Sequence, residues 1–403
     1  MPHLRSDRPG PGAPSRLDLP AALGWLGVAG AQAPPDGVAE ALAREWSARC
    51  GASAVRLWLV DHQHRWLRVP DDTYDRTEVA GASPVAHAFR MSQVLRSGTC
   101  VHVPLQLRGQ RWGVLEVADA GPELDDDAWA LVAATMVTAL QAATGSSDHA
   151  ERQRRSYDYS VAAERQWAVL PPLEQHHPPL RVTGLVEPAH VATSDLFDWS
   201  VDGDRLSACL VECAGSDVPA TDTSLAVAAV RQARRTGQTL LEQVGCVDDV
   251  LARAGAAGHL RAVFLEADRG VGRVDLVLAG APQLWTSTGD TREATRLRLP
   301  SGPLLGQADV RTTCTVELLP GAAVLAFSDG VLAAGVHEGR GLSADDVGRL
   351  VRAAGTAQDV PRTVLDEARR RGSPTGLPDD ATCLVLSRDQ AAGRPPSAAR
   401  GGE

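Results

Sequence analysis

The 403-residue sequence contains no lysine, isoleucine or asparagine, so all 40 of its Lys and Arg residues are arginine. Those three missing residues need AT-rich codons, and their absence reads as a genomic bias rather than a functional signal. Cysteine is sparse and scattered, at positions 50, 100, 209, 213, 246, 314 and 383. An odd number with no Cys-x-x-Cys pair excludes a zinc ribbon and a disulfide framework, and these residues read as small buried hydrophobes in a reducing compartment. Positive charge is also short: the net charge is −10, which excludes nucleic acid and anionic membrane as main partners. No apolar run reaches the length of a membrane span. Residues 19–33 (LPAALGWLGVAGAQA) follow Arg16 and end in an A-x-A-like stretch, as a signal peptide does. Asp18 and Pro20 at the start of that stretch, and Asp7 before it, argue against secretion, so a cytoplasmic location is expected.

What remains is ordinary globular material: 44% hydrophobic and 22% charged residues are enough for two or three domains with cores of their own. Residues 1–18 and 389–403 are rich in Pro, Gly, Arg and Ala and are expected to be disordered tails. In residues 19–145, helical spacing covers Val38 to Cys50, and strand alternation covers Ala54 to Val60. His64 to Val69 reads as the partner of that strand, and Ser83 to Phe89 as a short helix. Val101 to Leu107 and Trp112 to Val117 read as a hairpin about Arg108-Gly109. Acidic residues then lead a helix from Asp125 to Ala143, as the helix dipole favours. Residues 146–168 are polar, and the stretch from His149 is expected to be a helical linker. Its heptad pattern is weak, and it leaves a homodimer open.

The last region, residues 165–388, carries its acids at the edges of apolar runs. Asp195 precedes Leu196-Phe197, and Glu212 ends the run Leu206 to Val211. Asp329 follows the run from Ala323, and Asp379-Asp380 precede Ala381 to Leu386. Each alone is a common turn residue. Together they describe carboxylates at strand ends, able to converge on one sheet edge. Such a cluster stays ionised only beside compensating positive charge. Hard divalent cations with oxygen ligands supply it, and two of them about 3.5–4 Å apart activate a bridging water and clamp a phosphoryl group.

Two resemblances sharpen this reading. SPVAHAFR (residues 83–90) followed by VHVPLQLRGQRWGVLEV (residues 101–117) resembles a GAF domain, which implies a six-stranded antiparallel sheet with helices on one face and a small-molecule ligand or dimerisation. Gln166-Trp-Ala-Val-Leu-Pro-Pro172, Val186-Glu-Pro-Ala189, Thr193-Ser-Asp195 with Phe197-Asp198, and Glu212-Cys-Ala-Gly215 run in order with Ala279-Gly-Ala-Pro282, Ser301-Gly-Pro-Leu-Leu-Gly306, Pro320-Gly321, Phe327-Ser-Asp-Gly330 and Asp379-Asp-Ala-Thr382. That order resembles the type 2C, metal-dependent protein phosphatases, in their sporulation-protein-E-like bacterial branch. The resemblance implies an α+β protein whose second domain is an α-β-β-α sandwich. It implies Asp195, Glu212, Asp329 and Asp379 as ligands of two Mn²⁺ or Mg²⁺ ions, with Gly215 beside them and Asp198 and Asp380 behind them. The nucleophile would be a metal-activated water rather than a side chain. The substrate would be a phosphorylated protein, with an anti-anti-sigma factor a frequent one in this branch.

The departures from that pattern keep a second reading open. Glu212 stands where the family has Asp, Thr193-Ser194 replace a Gly pair, and Ser216 and Ala281 replace two His residues. One extra methylene moves a carboxylate beyond what a preorganised site tolerates, so the alternative is a pseudophosphatase that binds a phosphoprotein without turning it over. A third reading puts the function in the sensor half. His176-His177, between prolines, read as a loop without a metal role. Cys209 and Cys213 read as core, and Cys100 with His102 as packed strand.

Overall fold

The computed structural model describes residues 17–70, 72, 75–119, 124–189, 194–214, 220–289, 293–307, 310–336, 339–373 and 376–390. All but four residues of the two expected tails, and Thr193, Gly215 and Ser216, lie outside the described residues. The chain forms two compact units, residues 1–107 with 111–157, and residues 158–403 with 108–110.

The first unit is built in the order α1 (Leu19–Gln32), α2 (Val38–Cys50), β1 (Ala54–Val60), β2 (Trp66–Arg68), β3 (Arg76–Glu78), α3 (Pro84–Met91), β4 (Leu95–Ser97), β5 (Cys100–Leu107), β6 (Gln110–Ala118), α4 (Asp126–Thr144) and α5 (His149–Gln153). Its six strands lie in the order β3-β2-β1-β6-β5-β4. The strand alternation read from Ala54 to Val60 decides which helix each side chain meets. Leu57 and Leu59 share a core with Trp46 of α2 and Trp129 of α4, whereas Trp58 and Val60 pack with Val85 and Phe89 of α3. Helices therefore cover both faces of the sheet, not one as expected. The apolar stretch from Leu19 is the helix α1, which Asp18 caps by accepting from the Ala21 N–H at 3.3 Å and which buries Leu26 in the same core.

The expected single linker helix is instead broken in two. α5 ends by Arg154, and α6 (Val161–Val169) starts afresh at Ser160, whose hydroxyl accepts from the Ala163 N–H at 3.2 Å. A serine with its side chain turned back on the first helical turn is an N-cap, and a cap is a helix boundary.

The second unit continues from α6 with β7 (Glu174–His177), β8 (Leu180–Glu187), β9 (Leu196–Asp202), β10 (Arg205–Cys213), α7 (Ala220–Arg235), α8 (Leu240–Ala254), β11 (Leu260–Asp268), β12 (Arg273–Ala279), β13 (Gln283–Ser287), β14 (Ala294–Arg296), β15 (Thr313–Glu317), β16 (Ala323–Phe327), α9 (Asp329–Ala333), α10 (Ala344–Ala353), α11 (Val360–Arg371) and β17 (Ala381–Arg388). One sheet has the order β15-β12-β11-β10-β9 and the other β14-β13-β16-β17-β8-β7. Alternation again builds the layers. Leu206, Ala208 and Leu210 of β10 share the core that holds the second sheet, while Cys209 and Val211 lie under α7 and α8 with Val227 and Val244. Val347 and Val351 of α10 and Val364 and Ala368 of α11 join the core from the second sheet's side. The mixed α+β class stands as expected, as an α-β-β-α sandwich in this unit. His176-His177, read as a loop, form an edge strand instead: His176 pairs with Arg181 and His177 with Leu180.

Candidate active site

Strand register brings the acids together. β9 and β10 are antiparallel with Leu196 opposite Val211, so Asp195, just before β9, and Glu212, near the end of β10, share one edge. β16 and β17 are antiparallel with Phe327 opposite Cys383, so Asp329, after β16, and Asp379-Asp380, before β17, share one edge of the other sheet. Hydrogen bonds join the two edges. The Asp329 N–H donates to Glu212 Oε2 at 2.7 Å, Thr382 Oγ1 donates to Asp195 Oδ2 at 3.0 Å, and the Asp195 N–H donates to Asp380 Oδ2 at 3.1 Å.

The electrostatics are those of like charges pressed together away from water. Asp195 is 3% exposed, and burial first, then Asp380 and Glu212, holds its carboxyl well above the usual range. Glu212, 1% exposed, is pushed up to about 8 by burial first and then by Asp329. Asp379 is half-buried and raised by burial first, with Asp329 adding to it. Burial also pushes Asp380 up to about 6, against the lowering effect of the N–H groups it accepts from.

The adjacent acids at 379 and 380 do different work. Asp380 is fully buried and accepts from the N–H groups of Ala189 (2.7 Å), Ser194 (2.6 Å) and Asp195 (3.1 Å), and from Gln166 Nε2 (2.9 Å). Gln166 also donates to the Asp195 carbonyl at 2.6 Å, so α6 is tied to the start of β9. Close approach makes this end of the site compact: a Cβ on Gly330 would meet the Asp380 carbonyl oxygen at 2.0 Å. Asp379 is less buried, its Oδ1 accepting from the Asp380 N–H at 2.8 Å.

Asp198 sits apart from this cluster. Its carboxylate pairs with Arg231 at 2.7 Å and with Arg234, fastening α7 across β9. Ala281 has φ of +55°, and its N–H donates to Ser301 Oγ at 2.9 Å. Cys209 and Cys213 are buried under α7 and α8. In the first unit His102 is buried 3.6 Å from Glu116, as packed strand.

Sequence reasoning missed Arg261 of β11. It is the cross-strand partner of Glu212, and its Nη1 reaches Asp329 Oδ2 at 2.5 Å. An arginine ahead of the apolar run of residues 262–265 was the available signal. It also missed Gln166 as a side chain that acts inside the site. As the side chains stand, no group of three or more His, Cys, Asp or Glu among the described residues is arranged to hold a metal ion. The chemistry of the donor set nonetheless fits a hard divalent cation, because the donors are all carboxylate oxygens and they raise one another's pKa.

Residues 202–389 match the family model of Stage II sporulation protein E (SpoIIE). No sequence among the curated proteins matches the chain. Among solved structures, it is similar to the RsbU and RsbW domains of Rv1364c from Mycobacterium tuberculosis (23% identity, 53% of this chain and 61% of that chain, TM-score 0.46). It is also similar to the SiaA-PP2C domain of Pseudomonas aeruginosa (24% identity, 52% and 86%, TM-score 0.44). A third is the PP2C phosphatase domain with a fragment of the regulatory domain of SpoIIE from Bacillus subtilis (15% identity, 53% and 65%, TM-score 0.44). The chain thus spans about three fifths of the length of the first of these.

Proposed function

We propose that the second unit is a metal-dependent serine/threonine phosphatase that hydrolyses phosphoserine or phosphothreonine on a signalling protein. The observation that carries this reading is the gathering of Asp195, Glu212, Asp329 and Asp379 at one edge of two sheets, the last three of them inside the stretch that matches the SpoIIE family model. Those four would hold Mn²⁺ or Mg²⁺. Such ions, when bound, polarise a phosphoryl oxygen and lower the pKa of a water so that it attacks near neutral pH. The protein's own part is positioning. Thr382 orients the Asp195 carboxylate, and Asp380 with Gln166 fixes the backbone that carries it. An anti-anti-sigma factor is the substrate we favour, on the resemblance of the motif order to the sporulation-protein-E-like branch. The first unit would serve as a GAF-like sensor.

A second reading is favoured by one observation: Asp329 already carries a cation, Arg261, beside an elongated Glu212. That suits a phosphoprotein-binding pseudophosphatase. The full chain with Mn²⁺ and a small aryl phosphate distinguishes them. The enzyme reading expects metal-dependent turnover that falls at least about 100-fold in Asp329→Ala. Wild type without such turnover, joined to a gain in Glu212→Asp, would favour the second reading. No membrane partner is proposed, and no helix among the described residues is long and apolar enough to cross one.

A further inference from the structure

Arg261 enters the carboxylate cluster from β11, directly opposite Glu212 in the β10–β11 register. Its guanidinium donates to Asp329 Oδ2 at 2.5 Å, and the Asp329 N–H donates to Glu212 Oε2 at 2.7 Å. The three residues therefore form one connected set, two carboxyl groups beside a fixed cation. An arginine cannot shed its proton in a protein, so this positive charge is permanent.

The arm that presents it is held in place. Gly280, at φ +67°, leaves just enough room: a Cβ there would lie 2.8 Å from Arg261 Cγ and 2.4 Å from Leu304 Cδ2. Leu304 belongs to a loop that is itself clamped. Arg311 donates to Asp248 at 2.7 Å and 2.9 Å and to the carbonyl oxygens of Pro303 (2.6 Å) and Leu304 (3.2 Å), while the Gly306 N–H donates to the same Asp248 at 2.7 Å. The side chains of Arg311 and Asp248 are 5% and 10% exposed, so the clamp is shielded from water. Arg261 is thus presented by a rigid corner.

We propose that Arg261 is a resident counter-cation of this site, one that competes with a divalent ion for the Asp329 carboxylate beside Glu212. The inference rests on the phosphatase reading and deepens it, because it makes metal uptake at this side of the site a contest with a built-in charge. A guanidinium satisfies carboxylates without a metal, and any ion that binds there must first displace it or meet its repulsion.

The test is a calorimetric titration of the full chain with Mn²⁺, comparing wild type with Arg261→Met. Methionine keeps the stem against Gly280 and Leu304 and removes the charge. The expected result is binding at least about tenfold tighter in the variant. Arg269→Met, which removes an exposed arginine paired with Asp204, is the charge control and is expected to bind within about twofold of wild type. Equal or weaker binding in Arg261→Met would overturn the inference and leave the phosphatase reading standing. A matching gain in Arg269→Met would overturn it too, since net charge would then suffice. No binding by any of the three would overturn both. Should Arg261→Met fail to fold, Arg261→Gln is read in the same way.

Discussion

The paired groups of the first unit and the acid cluster of the second bury charge in opposite ways. In the first, Glu151, Glu116, Arg154 and Arg111 each meet an opposite charge, a dipole or a ring. Glu151 is held down at about 2, chiefly by its hydrogen bond with His62 at 2.8 Å. Glu116 lies below the ordinary range chiefly through His102, 3.6 Å away, with Arg56 adding to it. Arg154 lies 4.9 Å over the Trp112 ring and donates to the Val60 carbonyl at 3.1 Å, and Arg111 lies 4.7 Å over the Phe89 ring. In the second unit, Asp195, Glu212, Asp379 and Asp380 are all displaced upward, with a neighbouring carboxylate among the causes each time. Matched charges are a structural device. Gathered like charges cost stability, and a fold keeps them where chemistry needs them.

The sharpest way to break that contrast is Asp380→Ala. It would strand the N–H groups of Ala189, Ser194 and Asp195 in the interior, and a loss of about 3–5 kcal/mol is expected in urea unfolding. A loss below about 1 kcal/mol would mean that Asp380 is not the keystone of the β9 start. Gln166→Ala removes two buried hydrogen bonds and is expected to cost about 1–3 kcal/mol by the same measurement.

The pH dependence separates Glu212 from Glu151 by sign. Glu212 has a folded pKa of about 8 against an ordinary 4.5, so the folded state holds a proton that the unfolded state has lost. Without metal, its contribution is intact below about pH 4.5 and is lost as pH rises through 8. Glu212→Gln should therefore flatten the alkaline side of a plot of melting temperature against pH. Glu151 behaves in reverse: with a folded pKa of about 2, its stabilisation is present above pH 4.5 and disappears as pH falls toward 2. Its side chain is 38% exposed, so Glu151→Gln should cost less than about 1 kcal/mol at neutral pH.

The acids at 195, 212, 329 and 379 were legible because each sits at the edge of an apolar run, and strand ends are where side chains converge. Their common edge was not legible from spacing, since it depends on which strands pair and in what register; the motif order supplied it. The Asp379-Asp380 doublet shows what a sequence leaves out. Neighbouring residues entering a strand point opposite ways, and only the fold says that Asp380 faces three N–H groups while Asp379 stays half-buried beside it. Arg261 was invisible for a similar reason. A single arginine opening β11 looks like a surface residue until Glu212 is placed across from it. The linker was misread because Ser160, an unremarkable polar residue in a helical stretch, caps a new helix.

The account's central claim is that these carboxylates form a divalent-cation site, and anomalous diffraction from a crystal grown in saturating Mn²⁺ tests it most directly. The account predicts a manganese peak bounded by Glu212, Asp329 and Asp379. A map without signal there, with Asp329 still bound to Arg261 and Glu212 still accepting the Asp329 N–H, would contradict it.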